Sequence, residues 1–356
     1  MRWFNVTRTK TLLTFPVETM ALLTKDGDVI DQDYKDFTAE MYHEGHSFFT
    51  YLSNNPDNLA SCCRLRNEVT ENEFSFTNGL TGVQTGSCNV ITLNLNRIIQ
   101  DYIGLRTHNK ATFGVRLSDE MMNNSFKQYL IDILNRVYKY HIAYKTMLYE
   151  EEEAGMLTAS KAGYIKMNKL FSTVGLNGIN EAAEFVGLTC NYNDEYKDFC
   201  RLITGTISEQ NKLNSTKDFK FNTEFVPAEG LSSKNYNWDK EEKYWVPESR
   251  NLYNSYFYIA HDNTSVLDKF KLHGEEFTGL MDGGVGLHCN LEEHLSKAQY
   301  IKLIDFAIER GTSYFTFNVP NTQCDDCGYI TKLPVEVCPK CGSNIVTGKQ
   351  IGRAHV

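Results

Sequence analysis

Ten cysteines stand in this chain of 356 residues, and their spacing sorts them by chemistry. Cys324 and Cys327 form one C-x-x-C; Cys338 and Cys341 form another after a ten-residue spacer. Gly328 and Gly342 directly follow the second cysteine of each pair, as a tight turn around a metal needs. Four thiolates so spaced predict a closed tetrahedral zinc site with no open position for catalysis, hence a structural clip. Two disulfides are the alternative, disfavoured in a reducing compartment. Cys62 and Cys63 are adjacent and precede Arg64 in "SCCRLRNE". Neighbouring side chains on an extended backbone face opposite ways, so only one of the two can meet a given reactant. An arbitrary cysteine pair is most often buried packing. Cys88, Cys190, Cys200, Cys289 and His288 are read as core.

The elements that must position these residues follow from periodicity. Residues 1–35 read as a strand or two with a polar turn. Phe37, Met41, Phe48, Phe49 and Leu52 recur at helical spacing, which predicts a helix over 36–55. "FSFTNGLTGVQTGS" (74–87) is a loop, and "NVITLNLNRIIQDY" after it starts as a strand. Residues 118–153 predict the longest helix, with Ser118 as N-cap and a solvated acidic run at Glu150–Glu153. Residues 170–188 pass through glycines into a helix starting near Asn180, and 200–215 are helical. Residues 220–260 are loop-rich, and helices over 265–277 and 292–311 flank a Gly-rich turn into a strand. Residues 313–320 form a strand of alternating aromatics. Strands alternating with helices predict an α/β fold.

Composition bounds the function. Hydrophobic residues make up 41% and aromatics 12%, an ordinary globular balance with material for a deep core. The net charge of -9 argues against wholesale binding of nucleic acid or of a membrane surface. No run approaches the roughly 18 apolar residues of a membrane span. The N-terminal apolar stretch is broken by Pro16 and Glu18, so it reads as entry into a buried element with a cytoplasmic address.

Seven segments occur in a fixed order: "LTFPVETMALL", "ASCCRLRNE", "FSFTNGLTGVQTGSCNVITLNLNRI", "VGLNGINEA", "TEFVPAEGLSSK", "MDGGVGLHCNL" and "YFTFNVPNTQCDDCGYI…CPKCGSN". Together they resemble the catalytic subunit of the anaerobic (class III) ribonucleoside-triphosphate reductases, over about residues 10–346. The resemblance implies a ten-stranded α/β barrel of two five-stranded halves, a finger loop inside it, a C-terminal zinc ribbon and a homodimer. In that family a glycyl radical turns a finger-loop cysteine into a thiyl, which removes the 3′ hydrogen of a ribonucleotide. Water leaves from C2′, and reduction by formate or a thiol gives the deoxynucleotide. An S–H bond is close in strength to an activated ribose C–H, so the hydrogen can move either way, and burial excludes competing reactions. "CCR" matches the finger-loop motif, which makes Cys63 the expected radical carrier and Cys62 the second candidate. Leu65 follows the arginine and offers no polar group.

With no Walker-type loop, the triphosphate must be held by backbone amides and a helix start. Thr85, Gly86 and Ser87 in one segment and Gly175, Asn177 and Gly178 in another are the candidates; tight turns are the alternative. Asn78, Asn89 and Glu229 are candidates for bonding ribose hydroxyls or assisting the leaving hydroxyl, or else loop and cap residues. The family's activating partner uses S-adenosylmethionine and an iron–sulfur cluster.

The chain departs from the family pattern at both ends. An ATP-cone domain and the first barrel strands are expected ahead of "LTFPV", which here lies near Met1. A radical-bearing Arg-Val-x-Gly-Tyr-like loop is expected beyond the knuckles; Gly328–Tyr329 reads instead as a knuckle turn. "QIGRAHV" (350–356) back-translates to something resembling a common sequencing adapter, so Lys349 is expected to be the last natural residue. The resulting division is a catalytic barrel portion over 1–320, a zinc ribbon over 321–349 and an adapter-derived tail over 350–356. A fragment of this kind is expected to be inactive and to leave barrel edges unpaired. Two other readings compete: a radical enzyme of the pyruvate formate-lyase type, which generally lacks the four-cysteine site, and a zinc-ribbon interaction protein binding nucleic acid. The second is disfavoured because Asp325, Asp326 and Glu336 oppose Lys332, Lys340 and Lys349.

Overall fold

The computed structural model describes residues 3, 18–46, 48–55, 58–60, 66–68, 86–107, 121–226, 230–259 and 264–351. β1 (Thr19–Lys25) and β2 (Asp28–Val29) form a hairpin turning at Asp26 and Gly27, both at positive φ. α1 (Gln32–His43) starts at Asp31, whose carboxylate accepts from the Tyr34 N–H at 2.9 Å. The predicted helix ends early: Gly45 takes φ 88°, and Phe49 and Leu52 belong to β3 (Phe49–Ser53), parallel to β1. β4 (Asn58–Ala60) and β5 (Arg66–Glu68) pair antiparallel. β6 (Ser87–Asn94) runs directly into α2 (Leu95–Thr107). A π-helical turn, Met121–Phe126, leads into α3 (Lys127–Glu153); Ser118, the expected cap, lies outside the described residues. Then come β7 (Phe171–Asn177), α4 (Ile179–Phe185), α5 (Asp194–Asn214), β8 (Lys220–Phe225) and α6 (Leu231–Glu241). The chain ends with α7 (Val266–Leu272), β9 (Leu287–Asn290), α8 (Lys297–Arg310), β10 (Tyr314–Cys324), β11 (Ile330–Thr331) and β12 (Val346–Ile351).

Two units emerge. The first comprises Met1–Pro56, Lys269–Glu275 and Gly286–Val356. Its sheet is built on β10, which pairs antiparallel with β3, β11 and β12 and parallel with β9. Tyr42 stacks on Phe48 with ring centroids 4.0 Å apart, and Tyr300 and Phe317 close the cluster. α8 is fixed at its start by a capping box between Ser296 and Gln299.

The second unit comprises Asp57–Asp268 and Glu276–Val285. β6, β7 and β8 form a parallel sheet in that order, with crossover helices between successive strands. α3 and α5 cover one face: Tyr138 packs 4.7 Å from the Phe221 ring. Asn211 of α5 binds both neighbours, accepting from Tyr138 Oη at 2.8 Å and donating to Thr223 Oγ1 at 2.7 Å. The α/β expectation is met. Among the described residues the strands form three sheets and are not traced into a closed barrel.

Candidate functional site

The four ribbon cysteines converge. Their sulfurs all lie within 4.8 Å of one another, with Cys324 to Cys341 and Cys327 to Cys338 each at 3.6 Å. A disulfide would need about 2.05 Å. A tetrahedron of Zn–S bonds near 2.3 Å sets sulfurs roughly 3.8 Å apart, so the residues fit zinc. Gly328 and Gly342, at φ 70° and 75°, turn each knuckle, and their amides donate to the Cys324 and Cys338 carbonyls at 2.9 Å. Burial opposes ionisation of Cys338, but the Cys341 and Lys340 amides and the facing thiols outweigh it and bring Cys338 down to about 7. The Ser343 amide favours the Cys341 thiolate, yet the sulfurs of Cys327, Cys324 and Cys338 push Cys341 up to about 12. Thiols that share protons in this way would give them up together to a cation that binds all four sulfurs as thiolates.

The glycine-bearing segments meet on the parallel sheet of the second unit. The Gly86 carbonyl accepts from the Phe171 N–H at 2.8 Å, and Ser87 Oγ lies 2.9 Å from Thr173 Oγ1. Cys88 Sγ donates to Asn89 Oδ1 at 3.3 Å and lies 3.4 Å from Ser172 Oγ. Gly175 sits in mid-strand, where a Cβ would come within 2.6 Å of both Thr92 Oγ1 and Val226 Cγ2. Strand alternation therefore places Thr173, Gly175 and Asn177 on the face that carries Thr92, with Ser87 touching it at Thr173. Asn177 is fully buried; its Nδ2 donates to Ser232 Oγ and Ser255 Oγ at 3.2 Å, and its Oδ1 accepts from Asn235 at 2.8 Å. Gly178, at φ 80°, starts α4 and donates to the Asn254 carbonyl. Asn177 thus spends its groups on its own chain, and the two glycines serve close packing and a turn. Cys62, Cys63, Asn78, Thr85 and Glu229 lie outside the described residues.

Two buried ionic clusters beyond the ends of β6 and β7 carry no sequence signal. Asp239, fully buried, accepts from Asn94 Nδ2 at 2.9 Å, Arg97 Nε at 2.6 Å and Tyr253 Oη at 2.6 Å. Glu181, equally buried, accepts from Arg250 Nη2 at 2.7 Å and Asn254 Nδ2 at 2.8 Å, while Arg250 also holds Glu184. Burial works against the Arg250 charge, but the two glutamates overcome it and raise its pKa. Apart from Asp239 and Tyr253, which are 14 residues apart, these pairs join residues 66 to 145 apart, so no local pattern announces them. Opposite Thr173 stands Asn222, buried with neither Oδ1 nor Nδ2 partnered among the described residues, on the same polar face as Thr92. Strand alternation puts the buried Glu224 on that face as well, opposite Gly175, so it offers hydroxyls, amides and a carboxylate.

The family model described as anaerobic ribonucleoside-triphosphate reductase matches residues 4–351. No curated protein sequence matches the chain. A solved structure described as an anaerobic ribonucleotide reductase is similar at 27% identity and TM-score 0.77, over 96% of this chain and 50% of that one. The anaerobic ribonucleotide reductase from Thermotoga maritima in complex with dATP and CTP is similar at 26% identity and TM-score 0.77, over 96% of this chain and 53% of that one. The same enzyme with glycerol in the active site gives 27% and 0.76, with 96% and 53% covered. The chain thus spans about half the length of the solved structures it matches. On these grounds the chain belongs to the anaerobic ribonucleoside-triphosphate reductase family.

Proposed function

We propose that this chain is the thiyl-bearing portion of an enzyme that reduces ribonucleoside triphosphates to 2′-deoxyribonucleoside triphosphates, for DNA synthesis without oxygen. The observation that carries this reading is the family match over residues 4–351, which contains the "CCR" segment and the four-cysteine centre together. The match favours neither the pyruvate formate-lyase type of enzyme nor a zinc-ribbon interaction protein.

Cys63 is the radical carrier, with Cys62 behind it, and the thiyl takes hydrogen from C3′ before water leaves C2′. A glycyl radical generates the thiyl, an activating enzyme that uses S-adenosylmethionine and an iron–sulfur cluster installs it, and formate or a thiol supplies the electrons. Zinc on Cys324, Cys327, Cys338 and Cys341 acts as a structural clip. Residues 1–320 make up the catalytic portion and 321–349 the ribbon, and the assembly is a homodimer in the cytoplasm. No helix among the described residues is long and apolar enough to cross a membrane. The Thr92, Thr173 and Asn222 face supplies hydrogen-bonding groups to a hydroxyl-rich substrate such as ribose.

The test uses the intact protein that contains this chain, activated anaerobically and given CTP. Cys63→Ala is expected to abolish dCTP formation while the glycyl radical still forms in its electron paramagnetic resonance spectrum. Normal turnover in that variant would remove Cys63 from the role, and loss in Cys62→Ala alone would transfer it.

A further inference from the structure

Asn222 lies within β8, and its neighbours fix which way it faces. The Thr223 hydroxyl turns to α5, where it accepts from Asn211 Nδ2 at 2.7 Å. Asn222 therefore turns to the opposite face of the sheet, with Glu224, Thr173 and Thr92. Its backbone surroundings are held in place: the Thr223 N–H donates to the Asp282 carboxylate at 2.8 Å, and the Thr223 carbonyl accepts from the Gly283 N–H at 2.8 Å. Gly283 passes so close that an added Cβ would sit 3.1 Å from Asn222 Nδ2. Asn222 is 1% exposed, and neither Oδ1 nor Nδ2 is bonded among the described residues. A buried amide in that state is costly, whereas an apolar side chain of similar size in its place would be neutral or stabilising. The groups around it are engaged: Thr173 Oγ1 lies 2.9 Å from Ser87 Oγ, and Glu224 has a partner of its own. A preset, desolvated amide with both a donor and an acceptor to offer matches one oxygen-sized group that does the same, which is an alcohol.

We propose that Asn222 is the residue by which the enzyme tells a ribonucleotide from a 2′-deoxyribonucleotide. Its Nδ2 donates to the 2′ oxygen of the substrate, and its Oδ1 accepts from the 2′ hydroxyl. This assignment rests on the reading above and names the substrate group that the polar face recognises. The 2′ hydroxyl is the group that the reaction removes, so the bonds exist with substrate and are gone with product. Once C2′ carries only hydrogen, the amide is again buried and unpaired, and the deoxynucleotide is held more weakly than the ribonucleotide it came from. A neutral amide neither takes up nor gives up a proton in the physiological range. Asn222 therefore selects the substrate and favours release of the product, and leaves proton transfer to other groups.

The test is equilibrium binding to the intact protein that contains this chain, kept without its radical so that nothing turns over. CTP, 2′-deoxyCTP and 3′-deoxyCTP each displace labelled CTP, in the parent and in Asn222→Leu. The parent is expected to hold CTP at least ~10-fold more tightly than 2′-deoxyCTP, and Asn222→Leu to bring the two within about 3-fold by weakening CTP alone. The preference for CTP over 3′-deoxyCTP should be the same in both proteins. Denaturant unfolding gives a second readout: Asn222→Leu should be at least as stable as the parent, which also shows that the fold is intact. A less stable variant overturns the assignment, because the amide would then be satisfied within the protein. So does a preference for CTP over 2′-deoxyCTP that is absent from the parent or unchanged in the variant, and so does a loss that falls on 3′-deoxyCTP instead. A parent that does not bind CTP at all overturns the reductase reading itself, and the assignment with it.

Discussion

His141 lies on the inner side of α3, fully buried, its ring 6.1 Å from that of Phe221 and neither nitrogen hydrogen-bonded to the described residues. Burial disfavours the imidazolium and lowers the group to about 4, the nearby Thr173 backbone opposing only weakly. Above the ordinary value near 6.5 the ring is neutral in both folded and unfolded chains, so His141 then adds no pH dependence. As pH falls from about 6.5 towards 4 only the unfolded chain takes the proton, and stability drops; below 4 the penalty is constant. At pH 5 the loss is about 2 kcal/mol. His141→Leu should therefore cut the difference in unfolding free energy between pH 7 and pH 5 by that amount. Denaturant titrations at the two pH values check it, and an unchanged difference would show that the ring finds a partner when charged. None of this was legible in the sequence, because a buried histidine at helical spacing reads like any other inward position. The ribbon cysteines were legible for the opposite reason: their ligand geometry is set within a few residues on either side of each knuckle turn.

Elements show where local pattern misleads. "VGLNG" reads as a phosphate cradle or a tight turn, yet Gly175 is the middle of β7, and what makes it glycine are Thr92 of β6 and Val226 just past the end of β8. Thr and Val are stiff at χ1, so neither yields easily to an added methyl. Gly175→Ala is thus expected to cost about 1–3 kcal/mol by overpacking. Gly205 in α5 is the contrasting case: a Cβ there would sit 3.6 Å from Leu280 Cδ1, an ordinary contact. Gly205→Ala should stabilise by up to ~1 kcal/mol through helix propensity. Thermal unfolding of the two variants should move in opposite directions, and a Gly175→Ala protein as stable as its parent would refute the close approach. The end of α1 carries the same lesson in reverse. The apolar spacing through Phe48, Phe49 and Leu52 suits a helix or a buried strand alike, and the left-handed Gly45 decides between them.

At the scale of the molecule, the α/β class was readable from alternating elements and the family from seven ordered segments, but the partition into units was not. Residues 276–285 leave the first unit to lie along β8, where Gly283 donates to the Thr223 carbonyl at 2.8 Å, a non-local contact with no sequence signature. Within the first unit β10 ties the core to the four-cysteine cluster. Phe315, Phe317 and Val319 are buried in the aromatic cluster and its surroundings, and Cys324, at the end of the same strand, is one of the four cysteines that could hold a metal. The ribbon has little core of its own, with Leu333, Val337 and Ile345 all more than half or half exposed. Its structure is then expected to depend on a metal held by the four cysteines rather than on burial. The native chain is expected to hold one zinc, and Cys338→Ser or a strong chelator to release it. Amide exchange should accelerate over 321–348, where β11 and β12 pair with the distal half of β10, while residues 314–318 keep their protection through β3 and β9. Metal-free protein with full protection over the ribbon would mean that strand pairing alone holds it. Loss of protection along the whole of β10 would mean that the metal supports the core as well, and that the clip belongs to the catalytic portion's stability rather than to its edge.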